Sequence, residues 1–224
     1  MLSKRPTKIL NKDIPLVAKG TPGGEWLRRY WLVVGTSSEL FDVPQSVRVL
    51  GEELVLFRDR QGKLGLLGKY CSHRGSSLEY GDIEDRGIRC PYHGWLYDVS
   101  GSCLEQPSEP DGKDFCAKIK QTAYPVREKS GLIFAYMGPN SSDPPPLPNY
   151  SPLVDHGGQR HIESTRYFNY NWFNFYENSA DPCHVWILHN MSGYGAQTWG
   201  DQFFGWWCKA QNRFKHAQHP DNLF

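Results

Sequence analysis

Cys71-Ser72-His73-Arg74-Gly75-Ser76-Ser77-Leu78 and Cys90-Pro91-Tyr92-His93-Gly94-Trp95-Leu96-Tyr97-Asp98 are the two stretches whose reading decides the fold. Each joins one cysteine to one histidine, and sixteen residues separate His73 from Cys90. Both boxes sit among turn formers, which places them on loops. The donor set is two thiolates and two imidazoles. Two soft thiolates suit one iron of a sulfide-bridged pair, and two neutral imidazoles on the other iron remove negative charge and raise the potential above that of an all-cysteine cluster. The competing use is a Cys2His2 zinc site, but zinc fingers pair like with like, whereas here each box is mixed.

Outward from the boxes, residues 45 to 137 read as short alternating runs broken by turn residues. Val47 to Leu50 and Leu54 to Phe57 flank Gly51-Glu52-Glu53, and Asp59-Arg60-Gln61-Gly62 leads into Leu64 to Leu67. These are hairpin signals. Asp98-Val99-Ser100-Gly101 is another turn, and Gly131 to Met137 reads as a closing strand. The expectation is a small antiparallel β domain over 41–140 with two ligand loops at its tip, preceded by a lead-in of helix and turns over 1–40. Ser141-Ser142-Asp143-Pro144-Pro145-Pro146-Leu147-Pro148 marks an extended spacer at 141–150, because consecutive prolines cannot enter a sheet. A second domain then occupies 151–224, with a strand candidate from Ser164 to Asn171.

That second domain carries its own constellation: Asn171-Trp172, then Glu177-Asn178-Ser179-Ala180-Asp181-Pro182-Cys183-His184, then His189. Two imidazoles and a carboxylate can bind one face of Fe(II) and leave adjacent positions open. His184 and His189 are the candidate ligands. Asp181 precedes His184 by three residues, within reach of a supporting hydrogen bond to a ligand imidazole. Pro182 disfavours the helical region at Asp181, so a helix is expected to start there, with Asp181 near the cap and the ligands on 182–190. An isolated pair of histidines on an aromatic helix is more often core or surface, and the reading rests on the company of the first two boxes.

The CxH and CxxH boxes resemble those of the Rieske family, and CSHRGSSL with CPYHGWLYD resembles the ring-hydroxylating oxygenases within it. The 181–189 stretch is similar to the Asp-x-x-His-x4-His signature of their mononuclear iron site. Gly20 to Gly24, Arg29-Tyr30-Trp31, Pro107-Ser108-Glu109-Pro110 and Ala135 to Pro139 look like the phthalate dioxygenase branch. The resemblance implies an α+β chain: an antiparallel β Rieske domain, then the start of a helix-flanked antiparallel-sheet catalytic domain. It implies that Cys71 and Cys90 bind one iron of a 2Fe-2S cluster, His73 and His93 the other, and His184 and His189 a mononuclear Fe(II). Asp181 would link that site electronically to a Rieske histidine across a subunit boundary. The implied protein is an oxygenase component that receives electrons from a flavin and iron–sulfur reductase using NADH or NADPH. With O2 it would hydroxylate or O-demethylate an aromatic, carboxylated substrate, as a homotrimer.

Two departures shape the expectation. Respiratory Rieske proteins carry an extra cysteine in each box and a serine beside the second; Ser76, Tyr92 and Trp95 stand there instead, which argues for a low potential. The family's third iron ligand is a carboxylate far downstream, and neither Asp201 nor Asp221 sits where it belongs, so the chain reads as truncated. An electron carrier without its own turnover is therefore the alternative.

The net charge of +1 gives no electrostatic case for nucleic acid. No apolar h-region follows Lys4, Arg5 and Lys8, and no run of eighteen apolar residues occurs, so neither export nor a membrane span is expected and the cytoplasm is the expected location. Cys103, Cys116, Cys183 and Cys208 are accordingly read as reduced thiols. Phe203, Phe204, Trp206 and Trp207 are candidate pocket walls, with core or subunit contact the more common use of such residues. Arg28 and Arg29 read as a solvated helix face.

Overall fold

Leu54-Val55-Leu56-Phe57 is apolar at every position, the pattern of a strand buried on both faces. In the computed structural model, which describes residues 11–109, 115–155, 157–162, 168–181 and 184, these residues form the middle of β3 (Glu52–Arg58). β3 pairs antiparallel with β2 (Gln45–Val49) and β4 (Leu64–Gly68). Its two faces feed two cores. Val55 and Phe57, with Leu67 of β4, join the cluster that contains Cys71, Cys90, Trp95 and Tyr97. Leu54 and Leu56, with Leu66, join Val34, Val47, Ile133 and Ala135. Each such side chain, fully buried, contributes about 1.5–3 kcal/mol.

β1 (Trp31–Thr36), β10 (Leu132–Tyr136) and β9 (Val126–Lys129) form a second antiparallel sheet in the order β1-β10-β9. The third has the order β5-β6-β7-β8, from β5 (Asp82–Glu84), β6 (Gly87–Arg89), β7 (Leu96–Tyr97) and β8 (Cys103–Glu105). The mostly antiparallel architecture expected from the sequence is present, and the turns explain its registers. Leu50 and Gly51 both take positive φ, 48° and 81°, the geometry of a two-residue hairpin turn whose twist matches the strands. In the next hairpin Asp59 Oδ1 accepts from the N–H groups of Gln61 and Lys63 at 3.0 and 2.8 Å, and in the 98–101 turn Asp98 Oδ1 does the same for Ser100 and Ser102.

β1 lies inside the stretch expected to hold only helix and turns, and it pairs with a strand a hundred residues away. Arg28, expected on a solvated face, is instead 4% exposed with Nη1 3.0 Å from Glu52 Oε1. It follows α1 (Pro22–Leu27), and α1 is capped by the Thr21 hydroxyl accepting from Gly24 N–H. The proline-rich stretch forms neither helix nor strand, and it packs: Trp31 Nε1 donates to Pro145 O at 2.9 Å, and Leu147 and Leu153, the latter in α2 (Ser151–Val154), cover Trp31, Phe134 and Tyr136.

The chain divides into two compact units, Met1–Tyr167 and Phe168–Phe224. In the second, α3 (Trp172–Ala180) starts where the Asn171 side chain accepts from Phe173 N–H at 2.9 Å. Residues 168–171 are therefore not strand: they turn into a cap. Asp181 closes α3 at its C-terminal end, with φ −88° and ψ 104°, the extended backbone that the following proline imposes. The expected proximity of Asp181 to a helix end holds, but the helix precedes it. Of the expected helix at 182–190 only His184 lies among the described residues, and it is helical.

Candidate metal centre

The two boxes fold into near-twin loops. In the first, Cys71 N–H donates to Ser76 O at 2.9 Å and Gly75 N–H to Cys71 O at 2.9 Å; in the second, Cys90 N–H donates to Trp95 O at 2.8 Å and Gly94 N–H to Cys90 O at 3.1 Å. Both close through a glycine four residues after the cysteine, with φ of 70° at Gly75 and 73° at Gly94, a conformation costly for any side chain. The second loop is the tip of the β6–β7 hairpin. The first follows β4, where an isolated bridge joins Tyr70 to Ser77.

The loops bring all four expected cluster ligands together. Cys71 and Cys90 are buried, as are Trp95 and Tyr97 beneath them. The rings of His73 and His93 have centroids 4.5 Å apart. His73 stacks on Trp95 at 4.5 Å with planes 2° apart, and Tyr92 lies 3.8 Å from the His93 ring. Nδ1 of His73 is buried without a hydrogen-bond partner, a condition a metal bond relieves. Its Nε2 lies 3.9 Å from Glu109 Oε1. Burial pushes the Cys71 thiol up, the hydrogen bond with Tyr97 opposes this, and the neighbouring Cys90 adds to it. A thiol so placed becomes a thiolate when a cation replaces its proton. The donors are arranged as a thiol pair and an imidazole pair. The residues thus fit a 2Fe-2S group: Cys71 and Cys90 would hold one iron and His73 and His93 the other, and the cluster would supply one-electron chemistry.

Tyr97 stands in the second box, but the sequence reading gave it no role. Its hydroxyl lies 3.2 Å from Cys71 Sγ; burial, then Cys71 itself, pushes its pKa up, and against a metal-held thiolate only the Tyr97 O–H could donate. The low-potential expectation counted the missing disulfide and the missing hydroxyl at position 95; the structure places a hydroxyl from position 97 beside Cys71. The strand alternation that places Trp95 and Tyr97 on the same side of the chain was the available signal. Cys103 and Cys116 are free and buried, as expected, and the Cys103 thiol is pushed up to about 12, first by burial and then by Cys116 beside it.

In the second unit His184 Nδ1 lies 2.6 Å from the carbonyl oxygen of Asp181, three residues earlier. Against a carbonyl oxygen Nδ1 carries the proton and donates. His189, Cys183, Cys208, Asp201, Asp221 and the aromatic group at 203–207 lie outside the described residues.

A profile for the Rieske [2Fe-2S] domain matches residues 30–125. The phenoxybenzoate dioxygenase subunit alpha of Ectopseudomonas oleovorans is 50% identical over 192 residues, covering 80% of this chain and 46% of that protein. The chain holds a Rieske [2Fe-2S] domain and is similar to the oxygenase subunits of Rieske systems. The phthalate 4,5-dioxygenase oxygenase subunit of Pseudomonas putida is 38% identical, over 80% of this chain and 41% of its own length, in agreement with the branch suggested by the sequence. Among solved structures, dicamba monooxygenase bound to 3,6-dichlorosalicylic acid superposes with a TM-score of 0.64 at 27% identity, over 73% of this chain and 48% of that one. The chain thus spans less than half the length of the relatives it matches. Its likeness to these Rieske oxygenases extends well past the cluster domain.

Proposed function

We propose that this chain is part of the oxygenase component of a Rieske system that uses reductase-supplied electrons and O2 to hydroxylate, or on a methoxy substituent to demethylate, an aromatic carboxylate. The observation that carries the reading is the pairing of Cys71 with Cys90 and of His73 with His93 on twin loops, the orphaned His73 Nδ1 among them. The substrate class rests on the names of the relatives: phenoxybenzoate, phthalate and dichlorosalicylate are all aromatic carboxylates.

In this reading Cys71, His73, Cys90 and His93 are the cluster ligands, and His184 and His189 hold the mononuclear iron. Asp181 is the link between that site and a cluster histidine of a neighbouring subunit in a homotrimer. Its carbonyl fixes the ring of His184 from behind, while the proline after it holds the extended backbone that allows the contact. The exposed ring of Tyr92 and the exposed Arg74, beside the ligand histidines, give a flavin and iron–sulfur reductase using NADH or NADPH a place to deliver electrons. Free buried thiols at 103 and 116 fit a reducing cytoplasm. No helix among the described residues is long and apolar enough to cross a membrane.

The test supplies NADH, a phthalate-type reductase and a panel of aromatic carboxylates, and follows cluster reduction and O2 uptake together. Substrate-dependent O2 uptake with appearance of a hydroxylated or demethylated product supports the oxygenase reading. Cluster reduction with no substrate-dependent uptake across the panel overturns it in favour of electron carriage.

A further inference from the structure

The two ligand loops differ at the position after the cysteine. Pro91 stands there in the second loop, with a fixed φ and no N–H to satisfy. Ser72 stands there in the first, with a free φ and both an N–H and a hydroxyl. The second loop is also held from outside: Arg89 Nη1 donates to Gly94 O at 2.6 Å while its other nitrogens engage Glu84 and Glu105, and Ser108 Oγ donates to His93 O. The first loop is anchored through Gln121, besides the Tyr97 hydroxyl at Cys71.

Gln121 is 3% exposed. Its Oε1 accepts from Ser72 N–H at 3.1 Å and from the Ser72 hydroxyl. Its Nε2 donates to Gly68 O at 2.8 Å and to Tyr70 O at 2.7 Å. Both amide protons and both acceptor sites are used, so the amide orientation is determined by its partners. Its own backbone is fixed, with Gln121 N–H donating to Gly101 O at 2.7 Å and Thr122 O accepting from Gly68 N–H at 2.8 Å. The side chain therefore ties the end of β4 to the residue between Cys71 and His73, one of which serves each iron.

We infer that Gln121 is a positioning residue of the metal centre: it clamps the first ligand loop so that Cys71 and His73 meet the cluster in the register that Pro91 and Arg89 provide for the second. The inference rests on the proposed ligand set. A carboxylate at 121 keeps the size and the acceptors for Ser72 but loses both donors and sets a negative charge against the carbonyls of Gly68 and Tyr70. A methionine keeps the length and loses all four bonds.

The experiment compares the wild-type chain with Gln121→Glu, Gln121→Met, Ser72→Ala and the double variant Ser72→Ala/Gln121→Met. Sulfide content, the electron paramagnetic resonance spectrum of the reduced cluster, the rate of cluster loss to an iron chelator, and the melting temperature of each apo-protein are recorded. The expected result is that both Gln121 variants release the cluster about tenfold faster or more and broaden the spectrum, with apo-protein melting close to wild type. Ser72→Ala gives a smaller change and adds nothing on top of Gln121→Met, because the two residues share one interaction. Release within twofold of wild type with an unaltered spectrum overturns the inference, as does faster release that merely tracks a lower melting temperature. A wild-type chain without sulfide overturns the ligand set, and the inference with it.

Discussion

Replacing Tyr97 by phenylalanine removes one oxygen from the fully buried wall of the metal centre and leaves the ring in place. That oxygen lies 3.2 Å from Cys71 Sγ, and it keeps its proton. A donor to a ligand sulfur favours the reduced cluster, which carries one more negative charge, so its loss lowers the potential. A net hydrogen bond is worth about 0.5–1.5 kcal/mol, and only the difference between the two redox states counts. Taking about 1 kcal/mol for that difference, and about 59 mV per tenfold change for a one-electron couple, the midpoint falls by about 40 mV. The assay is a redox titration of wild type and Tyr97→Phe at one pH, followed by the reduced-cluster resonance signal, with sulfide content as the control for occupancy. A midpoint that stays put or rises in a fully loaded variant refutes the assignment of Tyr97 as donor.

The two loop glycines should differ in their tolerance of a side chain. Gly75→Ala meets open space and pays only for its positive φ, about 1 kcal/mol, whereas a Cβ at Gly94 stands 2.9 Å from Pro107 Cγ as well, so Gly94→Ala should cost clearly more in thermal melting and in bound iron. Gly65 faces Phe57 across β3 and β4, and a Cβ there would lie 2.5 Å from the ring; Gly65→Ala should destabilise the chain by about 1–3 kcal/mol in urea unfolding, and an unchanged midpoint would refute the packing. Arg89 holds the Glu84 carboxyl below the usual carboxylate range, chiefly through their hydrogen bonds. A depressed folded pKa gives stability that is present above the unfolded value and lost as pH falls through the folded one, so the melting-temperature gap between wild type and Glu84→Gln should close as the pH falls below the ordinary carboxylate range. A gap that is constant or widens in acid would contradict this.

What the sequence made legible follows the range of the interactions. The hairpins at 47–57, 59–67 and 98–101 are written in local turn chemistry, where glycine and aspartate settle the backbone within four residues. The metal boxes are legible for the same reason, since ligand and supporting glycine lie in one short string. The β1–β10 pairing escaped notice because nothing near Trp31 announces a partner at Tyr136. Arg28 looked solvated because a charged pair at a helix end usually is, and its burial depends on Glu52, a residue distant in sequence. Gln121 supports the centre from a segment that no motif includes, and Tyr97 stands inside the second box without being a ligand type. At Asp181 the proline effect on the backbone was read correctly, but the helix that ends there, α3, was not foreseen.

The most direct test of the central claim is low-temperature electron paramagnetic resonance of the dithionite-reduced chain, with iron and acid-labile sulfide counted per chain. Cys71, Cys90, His73 and His93 on paired loops predict a rhombic signal with average g near about 1.9 and about two sulfides per chain, lost together in Cys71→Ser and His93→Ala. Zinc in place of sulfide, with no such signal after reduction, would contradict the account.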